Sequence, residues 1–81
     1  MKYSEAKKAI EALSSKYSAD FYANKFNVYY KNELTAGVKK DFIYSFISRE
    51  NIFNKLPFSN KLYMIMSELA MTPVDERGTD N

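Results

Sequence analysis

The chain of 81 residues has no cysteine, no histidine and no tryptophan, and only two glycines and two prolines. Without Cys there is no disulfide, and no thiolate to bind a metal or attack a substrate. Without His the commonest metal ligand and the commonest general base are both missing. Gly37 and Gly78 stand alone, so no glycine-rich loop can cradle a phosphate. Asp75, Glu76 and Asp80 form the densest acidic group, and a solvated charge run explains them better than a cation site. No Ser or Tyr sits beside a conventional base that would activate it. The opening "MKYSEAKKAIEAL" lacks the apolar stretch of a signal peptide, and no run approaches the roughly 20 apolar residues of a membrane-spanning helix. The expectation is a cytoplasmic, non-enzymatic protein with no catalytic residues, no cofactor, no metal and no membrane partner.

What is present is aromatic. Seven Tyr and six Phe supply large rings that bury much area for few rotatable bonds. A chain this short forms a small core of marginal stability, so a partner subunit is one natural source of further burial. The net charge is +2, unevenly spread. Residues 1–71 carry a small basic excess, and residues 72–81 set Arg77 against Asp75, Glu76 and Asp80. That is a weak pointer to an anionic partner.

Residues 4–17 have helical periodicity: Ala6, Ala9, Ile10, Leu13 and Tyr17 share one stripe, with Ser4 as N-cap. From residue 25 the period changes to two. Phe26, Val28 and Tyr30 alternate, then Leu34, Ala36 and Val38, then Phe42, Tyr44 and Phe46, with polar joints at Asn32-Glu33 and Lys39-Lys40-Asp41. Gly37 suggests a bulge or a close backbone approach. A connector over 48–57 is pinned by Ile52, Phe53 and Leu56, and a second helix, capped by Ser59, runs to about Met71 on a stripe of Leu62, Ile65, Met66 and Leu69. The fold expected is α+β, in the order α-β-β-β-α: a three-stranded antiparallel meander with both helices packed on one face. Residues 1–78 form one domain and 79–81 a short polar tail. In "TPVDERG", Thr72 reads as an N-cap, Pro73 as a first helical residue and Gly78 as a stop. That predicts a last helical turn with Val74 docked, Arg77 available for a carboxylate and only Thr79 to Asn81 free.

Two surfaces could bind something. The second helix is apolar over more than half its circumference, because Tyr63 and Met64 flank its stripe. With Tyr29, Ile43 and Ile47 on the open sheet face, these residues are candidates for binding a protein partner or a second copy. Alternatively, Lys25, Lys31, Lys39, Lys40 and Tyr29 form a basic-aromatic patch for nucleic acid. The α-β-β-β-α order is that of double-stranded-RNA-binding domains, but Lys61 is the only early cation of the second helix, and the expected His is absent.

The segment "LPFSNKLYMIMSELAMTPVDER", residues 56–77, together with the start "MKYSEAKKAIEAL", resembles small uncharacterised proteins of temperate phages and prophages of Gram-positive bacteria. The run from Leu69 to Arg77 is the most specific part, and some members of that group continue well past this point. The resemblance implies a phage accessory protein in a bacterial cytoplasm, acting on a phage or host factor or serving as a small part of a phage assembly. It carries no activity and no catalytic residues with it.

Overall fold

A computed structural model describes residues 1–49 and 53–78. The chain is α+β. Helix α1 (Tyr3–Glu11) is followed by strands β1 (Tyr17–Tyr22), β2 (Lys25–Tyr30) and β3 (Glu33–Lys39), a two-residue strand β4 (Ile47–Ser48), helix α2 (Ser59–Met71) and a 3-10 turn (Val74–Glu76). The strands lie in sequence order in one antiparallel sheet, β1-β2-β3-β4, and the helices pack on it.

The meander begins earlier than the alternation from residue 25 suggests. Tyr17, Ala19 and Phe21 alternate as a strand does, and they pair with Tyr30, Val28 and Phe26 of β2. Helix α1 therefore stops at Glu11, not Tyr17. A turn in which Ser14 accepts from the Lys16 and Tyr17 amides (3.2 and 3.1 Å) diverts the chain into β1. Lys2 rather than Ser4 occupies the N-cap, and its backbone N–H donates to Glu5 Oε1 at 2.7 Å.

Both hairpins are closed by two-residue turns with positive φ throughout: Ala23 and Asn24 (56° and 59°), then Lys31 and Asn32 (51° and 67°). That backbone twist matches the right-handed twist of paired strands. The second joint is thus Lys31-Asn32, one residue before the expected Asn32-Glu33.

In β3, register shifts against Val28 and Tyr29 leave Thr35 as an extra residue. Its side chain is fully buried, and Thr35 Oγ1 donates to the Val28 carbonyl at 3.1 Å. The bulge is therefore at Thr35 and not at Gly37. Gly37 instead permits a close approach: a Cβ there would stand 3.2 Å from both Lys25 Cδ and the Phe26 carbonyl oxygen.

The third alternating run, Phe42 to Phe46, is not a strand. Tyr44 takes φ 61°, and its N–H donates to the Ala70 carbonyl at 2.7 Å. The Ala70 carbonyl at the end of α2 takes the Tyr44 N–H, and only Ile47 and Ser48 reach the sheet, opposite Gly37 and Ala36.

The core lies between the helices and one sheet face. Ala6 and Ile10 of α1, Phe26, Val28 and Val38 of the sheet, and Leu62, Met66 and Leu69 of α2 are all buried. Tyr3 packs edge-on to Phe21 (4.9 Å between centroids) and stacks on Phe26 (5.7 Å). Phe53 and Leu56 anchor the connector in this core, while Ile52 lies outside the described residues. Ser59 is the first residue of α2, and Phe58, in the left-handed region, holds the N-cap position.

The segment after α2 closes the structure. The expected turn forms over Val74–Glu76, but Pro73 is its N-cap, and no side chain caps it. Thr72 serves α2 instead: its Oγ1 donates to the Glu68 carbonyl (2.8 Å) and accepts from the Met1 amine (2.8 Å). Val74 is half-buried. Arg77 does not await a carboxylate. Its side chain is fully buried and donates to the carbonyls of Thr72 (2.9 Å), Lys39 (3.1 Å), Phe42 (2.8 Å) and Ala70 (3.2 Å). The Arg77 carbonyl in turn accepts from the Tyr3 N–H at 2.8 Å. The guanidinium thus binds the negative end of α2, the end of β3 and the following loop. Thr79 to Asn81 lie outside the described residues.

Candidate protein-binding face

The core takes one side of α2, the side of Leu62, Met66 and Leu69. The opposite side carries Met64 and Met71, seven residues apart and about 20° apart around the axis. Met64 is 69 % exposed and Met71 54 %. Beside them stands Tyr63, 55 % exposed, its ring held edge-on by Phe46 (5.4 Å) and Phe53 (6.3 Å).

The loop 40–46 runs along this flank of α2. It is tied near the helix end by Tyr44 N–H to Ala70 and by Arg77 to the Phe42 carbonyl, and further up by the Phe46–Tyr63 contact. It leaves Phe42, Ile43 and Tyr44 exposed, with Tyr44 at 75 %. Ile47 is also exposed, at the edge of the sheet beside Gly37. Loop and helix therefore bring Ile43, Tyr63 and Met64 to the α2 side of the molecule, with Ile47 at the adjoining sheet edge. Ile43 belongs to the loop and not to the open sheet face. Tyr29 lies apart, on that open face. The sequence reading missed Phe42, Tyr44 and Met71 as surface residues, because alternation assigned the first two to a buried strand face.

Folding scatters the basic-aromatic candidates. Lys25 and Lys39 are paired neighbours at one end of β2 and β3, and Lys40 follows there, its N–H bonded to the Asn24 carbonyl. Lys31 occupies the turn at the other end of β2, about 20 Å away by strand rise. The Lys25 stem lies over Gly37, and Lys39 Nζ sits 5.4 Å from the Phe42 ring centre. Tyr29, between these ends, donates to Asp20 Oδ1 at 3.4 Å, and Asn27 donates to the same oxygen at 3.3 Å. Desolvation, then the Asp20 charge, raises the Tyr29 pKa above its ordinary value. The Asp20 carboxylate, on the edge strand and beside Tyr29, opposes a phosphate track on the open face.

A groove of about 580 Å³ opens between α1 and the edge strand β1, lined by Tyr3, Lys7, Lys8, Glu11, Phe21 and Phe26 among others. Lys7 Nζ crosses it, bonded to the Ala19 carbonyl (2.8 Å) and to Glu11 (2.8 Å). A lysine over an edge carbonyl blocks strand addition there. Among the described residues no group of three acidic side chains is placed to hold a cation.

No helix among the described residues is long and apolar enough to cross a membrane. No family model, no curated protein and no solved structure matches this chain.

Proposed function

We propose that this protein is a non-enzymatic accessory protein of a temperate phage or prophage that works in the bacterial cytoplasm by binding another protein. The binding face consists of the outward side of α2 and the loop beside it, with Tyr63, Met64, Ile43 and the adjoining Ile47. One observation carries the reading: large apolar side chains concentrate on this side, led by Tyr44 at 75 % and Met64 at 69 % exposure. Single exposed apolar residues are ordinary, but a contiguous set marks an interaction surface. The phage setting rests on the resemblance of residues 56–77, and a host factor is one such target.

The test is binding by a face-disrupted variant. Met64 is 69 % exposed on the side of α2 away from the core, so Met64→Glu leaves the core unchanged. The variant is expected to keep the native circular dichroism spectrum and lose the proteins that cross-link to the wild type in a host lysate. An unchanged cross-linking pattern counts against the face. The Lys25, Lys39 and Lys40 cluster supports a second reading, nucleic-acid binding. It predicts retention on DNA or RNA that falls steeply with salt, and no retention at low salt removes it.

A further inference from the structure

The outward side of α2 has an order along its length. Lys61 comes first, then Met64, then Ser67 and Glu68, then Met71. Lys61 and Glu68 are both exposed. Met64 and Met71 lie at equal distances from the midpoint between Ser67 and Glu68, so the methionine pattern matches itself when reversed. Set antiparallel to a second copy about an axis near Ser67, Met64 meets Met71 of the other copy at both ends. The two Lys61 side chains then lie at opposite ends of the pair. A parallel arrangement would instead set Lys61 against Lys61.

We propose that the protein forms a two-fold dimer in which α2 packs antiparallel on α2 of a second copy. This rests on the reading of α2 and its loop as a protein-binding face, and it names the occupant. The symmetry also brings the Tyr63 flank of one copy against the Tyr63 flank of the other, so apolar surface meets apolar surface. Five side chains (Phe42, Tyr44, Tyr63, Met64 and Met71) are each more than half exposed. At roughly 150–250 Å² for each aromatic residue and a similar area for each methionine, their exposed parts come to about 600 Å². A standard interface buries about 800 Å² on each partner, polar rim included. A second copy can therefore cover the face without a third component. Glu68 is the unfavourable element, because the two-fold brings the two Glu68 side chains to the same rim.

The absence of native cysteine makes the geometry testable with single-cysteine variants. Met64→Cys mixed with Met71→Cys is expected to form a disulfide dimer under mild oxidation about tenfold faster than either variant alone. In sedimentation equilibrium Met71→Glu is expected to weaken the dimer, and Glu68→Gln to tighten it. Wild-type protein that stays monomeric at about 100 µM overturns the proposal. So does Met64→Cys cross-linking to itself faster than the mixture does. The two readings fail separately. A monomer whose lysate cross-links are lost in the Met64→Glu variant keeps the protein-binding face and loses the dimer. A dimer whose lysate cross-links survive that variant keeps the dimer and loses the foreign-partner reading.

Discussion

Ala23 shows what a single residue can cost. It sits at φ 56° in the β1–β2 turn, where a β-carbon is crowded and glycine is not. Ala23→Gly relieves that crowding but adds unfolded-state entropy. The expected net gain is about 0.5 kcal/mol, seen as a rise of about 2–4 °C in the thermal midpoint. Tyr17 illustrates a different local balance. It is buried in the core, its hydroxyl donates to the Pro57 carbonyl at 2.7 Å, and its ring lies 4.9 Å from Tyr30. Burial, then the neighbouring Tyr30, raises its pKa above 10.0. A raised acid pKa in the folded state gives stability that is complete below the unfolded value and is lost as pH climbs through the folded one. Tyr17→Phe is expected to cost about 1 kcal/mol at neutral pH through the lost hydrogen bond. In urea titrations the gap between wild type and variant should narrow above pH 10. A gap that stays constant would mean that the Tyr17 hydroxyl does not contribute to alkaline unfolding.

At the scale of elements, helix α2 and the pairing of β2 with β3 were legible because each has a pure period, 3.6 or two. The ends were not. Tyr17 fits the α1 stripe at four residues from Leu13, yet it also opens the alternation Tyr17, Ala19, Phe21, and the Ser14 turn decides between them. The turns at Ala23-Asn24 and Lys31-Asn32 carry no glycine to announce them. Phe42 to Phe46 alternates like a strand, but its fate depends on the carbonyls of a helix more than 20 residues later, which no local pattern encodes. Arg77 is the same lesson in one side chain. A charged residue in a polar stretch reads as surface, and only the folded chain reveals the four carbonyls around it. Those contacts join α2, β3 and the loop, so removing their donor is an element-scale event. Arg77→Met keeps much of the volume and strands the carbonyls, at an expected cost of about 3–5 kcal/mol. That is a large part of the roughly 4–12 kcal/mol expected for a chain of this size. Arg77→Lys, with a point charge in place of a fork, is expected to lose less. Urea midpoints of the two variants check the order, and an Arg77→Met midpoint near wild type would show that the clasp is dispensable. The same loss should free the 40–46 loop and so reshape the candidate face.

At the scale of the whole molecule, the two long sides differ in kind. The β1 side is guarded by Lys7, and the α2 side is open and apolar. Of the candidate binding residues, Tyr63 and Met64 were legible because a helix apolar over most of its circumference has more to bury than one core can take. If a second copy takes that surplus, stability depends on concentration. The thermal midpoint of the wild type should rise as protein concentration increases, whereas that of Met64→Glu should not change. A wild-type midpoint that is independent of concentration speaks against association. The bond from Tyr3 N–H to the Arg77 carbonyl has a consequence for how the molecule is made. Synthesis runs from α1 toward Arg77, so the first helix emerges from the ribosome long before its closing partner does. Until residue 77 has left the exit tunnel, the Tyr3 amide and the carbonyls of Lys39, Phe42 and Ala70 lack that partner. The core should therefore close only after translation has passed this point. Arrested nascent chains lengthened one residue at a time should acquire protease resistance in a single late step.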